Sequence, residues 1–323
     1  MNGRREFLVA LGFGALTPST NVGGGPRLRR SRWELLFAGP ETTAPGCIPD
    51  PASWVADDFT AAWIGHATVL LNFFGTWILT DPVMSSRVGF HIAGIVFGPR
   101  RLVAPALSLE RMPKPDLVLL SHAHFDHLDI PTLEHIDPGA SVVTAANTAD
   151  LLDDLPLRHV VELDWGEKIS VKGVEIEALP VKHFGWRLPW EQDRSRGNAD
   201  GRSYNAYLVS KKGRSFVFAG DTAYHDRFRE VRQRVGNLEL AIMPIGAYDP
   251  WIHVHCTPEQ AVEMAGHLGA RVVMPVHWGT FIQSDEETGE PIRRFLEAAR
   301  LAGILPAVKR IGETWSASAR TAW

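Results

Sequence analysis

The sequence predicts an α/β protein in which two mixed β-sheets pack face to face and helices cover the outside. Three observations carry that expectation. Short β-branched and aliphatic runs alternate with helical stretches, the layout of the first half recurs in the second, and 323 residues with 45% hydrophobic content can bury a large core.

Taken in order, Gly3-Arg4-Arg5-Glu6-Phe7-Leu8 sets an arginine pair before a short, mildly apolar stretch and a polar, glycine-rich one. That arrangement resembles a twin-arginine export signal, so residues 1–26 are read as signal or disordered N-terminus and residues 27–323 as one folded domain. The expected location is periplasmic or otherwise extracytoplasmic, with the cytoplasm as the alternative. Arg27 to Asp58, rich in proline, glycine and arginine, reads as an irregular arm. Phe59 to Ile64, Val69 to Phe74 and Thr76 to Thr80 read as strands, the last two forming a hairpin about Gly75. Gly89 to Leu109 has no clean period and is expected as a buried loop; its alternative is a substrate entrance or a membrane-facing lip.

Asp116 to Leu120 reads as a buried strand. After it come a helix from Pro131 to His135, a strand at Ser141 to Thr144, a short helix at Thr148 to Asp154, and strands at Val160 to Leu163, Lys168 to Val171 and Val174 to Leu179. The second half begins with a hairpin, Tyr204 to Ser210 and Arg214 to Ala219, turning at Lys212-Gly213. Leu240 to Pro244 (strand), Pro258 to Leu268 (helix capped by Thr257), Arg271 to Pro275 (strand) and Pro291 to Ala302 (helix) complete it.

Bulk properties exclude some functions. A net charge of -4 leaves no basic footprint for nucleic acid. No apolar run reaches the length of a transmembrane span. Cys47 and Cys256 make no disulfide framework; one bridge stays open if the chain is exported, and two free thiols are expected.

The chemistry gathers in Ser121-His122-Ala123-His124-Phe125-Asp126-His127-Leu128-Asp129, directly after the Asp116 to Leu120 strand. Buried imidazoles and carboxylates each need partners, and a divalent cation supplies one to all of them. His122 and His124, two apart on an extended loop, can face one ion while Asp126 and His127 face another. Nitrogen and oxygen donors without cysteine suit zinc, manganese or iron.

This His-x-His-x-Asp-His pattern resembles the metallo-β-lactamase superfamily. Val181-Lys182-His183, Phe218-Ala219-Gly220-Asp221-Thr222-Ala223-Tyr224 and Val276-His277-Trp278-Gly279-Thr280 match its later motifs. Trp63-Ile64-Gly65-His66-Ala67-Thr68, Leu79-Thr80-Asp81-Pro82 and Met243-Pro244-Ile245-Gly246-Ala247-Tyr248 look most like the branch of N-acyl-phosphatidylethanolamine-hydrolysing phospholipases D, with ascorbate-6-phosphate lactonases as neighbours. The matches span residues 61 to 281.

The resemblance implies an αββα sandwich with two zinc ions per chain, manganese or iron(II) being alternatives. His122, His124 and His183 would hold one ion, Asp126, His127 and His277 the other, and Asp221 would bridge them. Such a pair makes hydroxide available from a shared water near neutral pH, so the implied activity is hydrolysis of a phosphodiester. Asp126 is expected to orient that nucleophile, and Asp81 to support a ligand histidine or cap a turn. The resemblance also places His255 by a phosphate or leaving group; a surface role is its alternative. Trp186 and Arg187, beside His183, are expected to bind an anionic, partly apolar substrate, the alternative being packing under a loop. His66 is read as structural. The expected substrate is a phospholipid or small-molecule phosphodiester, met through peripheral membrane contact if it is a lipid. Competing readings are a lactonase or a hydrolase of another phosphorylated metabolite, an iron oxidoreductase of the same fold, and a non-catalytic metal-binding module.

Overall fold

The computed structural model describes residues 41–235 and 238–319. Arg4, Arg5 and the rest of the segment read as an export signal lie outside them. In chain order the strands are β1 (Phe59–Gly65), β2 (Thr68–Phe73), β3 (Thr76–Thr80), β4 (Phe90–Ile92), β5 (Ile95–Phe97), β6 (Leu117–Leu119), β7 (Ser141–Ala145), β8 (His159–Leu163), β9 (Lys168–Val171), β10 (Val174–Pro180), β11 (Asn205–Lys211), β12 (Arg214–Phe218), β13 (Leu238–Pro244), β14 (Val272–Val276), β15 (Leu305–Pro306) and β16 (Thr314–Ser316). The helices are α1 (Ile130–Leu133), α2 (Phe228–Arg234), α3 (Pro258–Leu268) and α4 (Glu290–Ala302).

One seven-stranded sheet runs β16-β1-β2-β3-β6-β7-β8 and the other β15-β14-β13-β12-β11-β10-β9. Each is antiparallel on one side and parallel on the other. Successive side chains point to opposite faces, and both faces are buried. Ala61, Trp63 and Leu71 meet Tyr207, Phe216 and Phe218 between the sheets. Ala62 and Ile64 face Leu128 and Leu133 outside the first sheet, while Leu208 and Val217 face Phe228, Ala261 and Phe295 of the helices outside the second. The architecture is therefore the αββα sandwich expected. Helix α3 starts where its sequence says: Thr257 and Gln260 form a reciprocal capping box, Pro258 takes the first turn, and Gly269 closes the C-terminus in the left-handed region.

Four pieces escape the sequence reading. Gly89 to Leu109 contains a hairpin, β4 with β5, whose Ile95 is 59% exposed. Its base crosses so closely that a Cβ on Gly89 would lie 2.0 Å from the Phe97 carbonyl oxygen. Helix α2, the short strand β15 beside β14, and the strand β16, which pairs with β1, are the others. Cys47 and Cys256 are unpaired, and the buried Cys256 thiol donates to the Pro244 carbonyl. Among the described residues no helix is long and apolar enough to cross a membrane.

Candidate metal centre

Strand direction explains why the site exists where it does. β1, β3, β6 and β7 all run one way in the first sheet, as do β10, β12, β13 and β14 in the second. Their C-terminal ends share an edge, which is where α/β sheets build sites. From those ends come His66, Asp81, the 121–127 loop, His183, Asp221 and His277. The two edges are joined by backbone bonds, Asn205 N–H to the Ser121 carbonyl at 2.9 Å and His277 N–H to the His66 carbonyl at 3.0 Å.

The backbone is strained there. His66, Asp81 and His277 all have left-handed φ, at 53°, 30° and 61°, a conformation that costs side-chain-bearing residues free energy and clusters at functional sites. Gly220, at φ 56°, could not be replaced cheaply, because a Cβ would come within 2.6 Å of Ser121 Cβ. That glycine lets Asp221 turn into the site, as the Gly-Asp-Thr turn predicts.

The hydrogen-bond network assigns the tautomers. The Ser121 hydroxyl donates to Asp81 Oδ2 at 2.6 Å, so His122 Nδ1–H donates to Ser121 Oγ at 2.9 Å. His127 Nδ1–H donates to Asp81 Oδ2 at 2.6 Å, and His183 Nδ1–H donates to the Val254 carbonyl at 2.8 Å. His122 and His183 therefore each turn a bare Nε2 lone pair inward; burial opposes a charge on His127, but Asp221, Asp126 and Asp81 outweigh it and raise its pKa well above the ordinary value. His122 Nε2 and His183 Nε2 lie 2.8 and 3.2 Å from His124 Nδ1, so the nitrogens of three rings converge with at most one proton between them. His124 Nε2, His127 Nε2 and Asp221 Oδ1 are buried without a hydrogen bond. Such an arrangement is repulsive until a cation enters it.

A second group adjoins the first. His127 Nε2 and His277 Nε2 each lie 3.3 Å from Asp126 Oδ2 and 3.1 Å from Asp221 Oδ2. Ligands bonded at about 2.0–2.1 Å to one tetrahedral ion sit about 3.3 Å apart, so the donors fit such an ion. Asp221 Oδ2 is also 4.0 Å from His122 Nε2 and 3.9 Å from His183 Nε2, which places it between the groups. Burial pushes the His122 and His124 pKa values well below the ordinary range and brings His183 down to about 4, keeping these rings neutral. Burial opposes the charge on His277 too, but Asp221 and Asp126 outweigh it and raise its pKa to about 9.

The family model described as "Beta-lactamase superfamily domain" matches residues 76–278. The chain belongs to the metallo-β-lactamase superfamily. A protein of Mycobacterium tuberculosis is 34% identical over 300 residues, covering 88% of this chain and 77% of that one. The N-acyl-phosphatidylethanolamine-hydrolyzing phospholipase D 1 of Caenorhabditis elegans is 30% identical over 292 residues, covering 82% and 79%. Among solved structures, the isothiocyanate hydrolase from Delia radicum gut bacteria shares the fold, with a TM-score of 0.62, 21% identity, and coverage of 82% and 100%.

Within this superfamily fold, the structure brings His122, His124, Asp126, His127, His183, Asp221 and His277 to one edge, with Asp81 behind His127. His255 lines the pocket over them, its Nδ1 3.8 Å from Asp221 Oδ2, and burial holds its pKa down at about 3. The pocket wall is apolar: Val88, Pro99, Phe125, Phe184, Trp251 and Val254.

Two expectations are corrected. Arg187 does not face substrate; it is buried, donates to the Ala123 carbonyl at 2.6 Å and the Leu128 carbonyl at 2.9 Å, and lies over the Phe125 ring, so it braces the histidine loop. Trp186 is buried against Phe184, and it is Phe184 that reaches the pocket. Two further residues meet Asp126: His66, read as structural, and Gln283, which the sequence does not single out. His66 Nε2 lies 2.8 Å from Asp126 Oδ2, and Gln283 Nε2 donates to the same oxygen at 2.7 Å. His66 carried a signal, since it ends β1 as Asp81 ends its neighbourhood at β3; Gln283, in an irregular loop, carried none.

Proposed function

We propose that this metal-dependent hydrolase cleaves a phosphodiester of the N-acyl-phosphatidylethanolamine type at a two-metal centre. The observation that carries the reading is Asp221 Oδ2, 3.1 Å from one pair of imidazole nitrogens and 3.9–4.0 Å from another. His122, His124 and His183 would hold one ion, Asp126, His127 and His277 the other, with Asp221 shared; nitrogen and oxygen donors suit zinc, manganese or iron(II). When bound, the pair of ions supplies an acidified water and neutralises phosphodiester charge. Asp126, at the pocket floor, orients the attacking water through its carboxylate. His255, neutral and facing the pocket, binds the phosphate or the leaving group.

The substrate reading has its own support. The apolar wall suits acyl chains, and relatives in Caenorhabditis elegans and Saccharomyces cerevisiae are named as phospholipases D hydrolysing N-acyl-phosphatidylethanolamine. The segments that supply Val88, Phe184 and Trp251 to the wall also carry Ile95, Trp190 and Ile252, all exposed. We infer that these side chains meet a lipid surface at the pocket mouth. The test is turnover of N-acyl-phosphatidylethanolamine in mixed micelles against bis-p-nitrophenyl phosphate and a lactone series, with metal content measured in parallel. Faster release from micelles supports the reading; turnover of lactones alone, or one ion per chain, rejects it. We also infer export through Arg4 and Arg5; replacing both by lysine should hold the protein inside the cell, and unchanged delivery would reject that inference.

A further inference from the structure

Asp126 is the one carboxylate of the second cage that hangs from the histidine loop rather than from a strand end, so something must set its rotamer. Two N–H groups converge on its Oδ2, from His66 at 2.8 Å and Gln283 at 2.7 Å. They are unequal as supports. Gln283 is a half-buried amide lining the pocket. His66 is 1% exposed, with its backbone bonded on both sides and its ring Nδ1 buried without a hydrogen bond. Its N–H donates to Thr280 Oγ1 at 2.8 Å, while its carbonyl accepts from Trp63 Nε1 at 2.7 Å and from the His277 N–H. Its ring centroid is 4.2 Å from that of His277 and 5.1 Å from that of Phe281.

We propose that His66 is a positioning residue for the second cage: its Nε2–H fixes the Asp126 carboxylate in the pose that faces His127 and His277. The inference rests on the two-metal reading above. His66 stands close enough to His127, His277 and Asp126 to be taken for another ligand. Its Nε2 stands 2.8 Å from Asp126 Oδ2, the length of a charge-assisted hydrogen bond, while that oxygen lies 3.3 Å from both His127 Nε2 and His277 Nε2; metal titration of His66 variants separates a donor to the carboxylate from a ligand. The left-handed turn at His66 then has a purpose, since it carries the ring from the end of β1 across to a loop of the same sheet while its carbonyl binds the second sheet.

The experiment uses the full chain reloaded with cobalt(II), read by visible absorption and by competition with a chelator. His66→Gln keeps an amide N–H near the position of Nε2; His66→Asn tolerates the left-handed backbone but is too short to reach. The asparagine variant should bind the second equivalent about 10–100-fold more weakly with an altered spectrum, and glutamine should restore affinity to within about threefold. Equal loss in both variants would make His66 a ligand and overturn the proposal, as would an asparagine variant with wild-type affinity and spectrum. If the wild type takes up a single equivalent, the two-metal reading falls first and this inference with it. Melting of the metal-free proteins separates a folding defect from a positioning defect, because only the latter leaves the apo transition unchanged.

Discussion

In the metal cage, His122, His127 and His183 are each anchored through Nδ1 to an oxygen behind them. In the wall of the same pocket, Phe125 and Phe184 are held by packing alone, Phe125 against Phe90 at 4.9 Å and beneath the Arg187 guanidinium, Phe184 against Trp186 at 5.0 Å. The difference teaches where this molecule tolerates change. A directional network loses function when one atom changes its hydrogen-bonding or charge, because each group needs partners of matching sign in fixed places. A packed wall responds to volume, and volume-conserving exchanges are mild.

The sharpest way to break that contrast is at Asp221. Asp221→Asn preserves shape and removes a negative charge standing between two groups of nitrogens. Turnover should fall by roughly two to three orders of magnitude, while the melting temperature of the metal-free protein changes little. The comparison needs apo protein, since bound ions add stability by mass action. An asparagine variant that keeps two ions and near-wild-type turnover would show that the cage obeys the wall's rules.

Asp81 tests the contrast one layer back. Its carboxylate accepts from His127 Nδ1–H, the Ser121 N–H and the Ser121 hydroxyl. Asp81→Asn turns part of that acceptor into a donor, so the affinity of the second cage should drop about 10–100-fold, read by chelator competition. The leftover buried donor should also lower stability by about 1–3 kcal/mol in a denaturant titration. An unchanged affinity would mean that the His127 tautomer is set elsewhere.

The same contrast decides what could be read in the sequence. The first cluster was legible because His122, His124, Asp126 and His127 occupy one loop; His183, Asp221 and His277 were named through the family resemblance, and they lie after strands that end at the same edge. His66 sits at such an end as well, but a lone histidine after a glycine gives no sign of a partner 60 residues away. The wall was not legible. Arg187 among aromatic residues looks like an anion site, yet its partners are carbonyls, which every residue has and no sequence advertises. The β4–β5 hairpin is set by the close crossing at Gly89 and Gly98 rather than by alternation of apolar residues.

Arg187 packs over the wall residue Phe125 and donates to the carbonyls of the histidine loop, so it sharpens the boundary between wall and cage. Arg187→Met keeps much of the packing volume against Phe125 but leaves the Ala123 and Leu128 carbonyls without their donor. Two lost charge-assisted bonds should cost about 2–4 kcal/mol of stability. KM for a soluble phosphodiester should stay near the wild-type value in the folded fraction. A large rise in KM with unchanged stability would return Arg187 to the substrate.

The smallest effect belongs to the exposed apolar side chains inferred to meet lipid. Trp190 is 74% exposed and Ile95 59%, so neither contributes much to the folded core, and replacing both by serine should leave the unfolding free energy within about 1 kcal/mol of wild type. Each residue would bury its apolar surface only against a lipid aggregate, where removal from water is worth about 25 cal/mol per Å². The double variant should therefore hydrolyse a soluble diester at the wild-type rate while its rate on phospholipid micelles falls severalfold, mainly through weaker binding. The soluble diester is the control that assigns the loss to the surface, because it uses the same cage without the lip. Equal losses on both substrates would mean that Trp190 and Ile95 shape the pocket itself, and no loss on either would leave the lip without a lipid to meet.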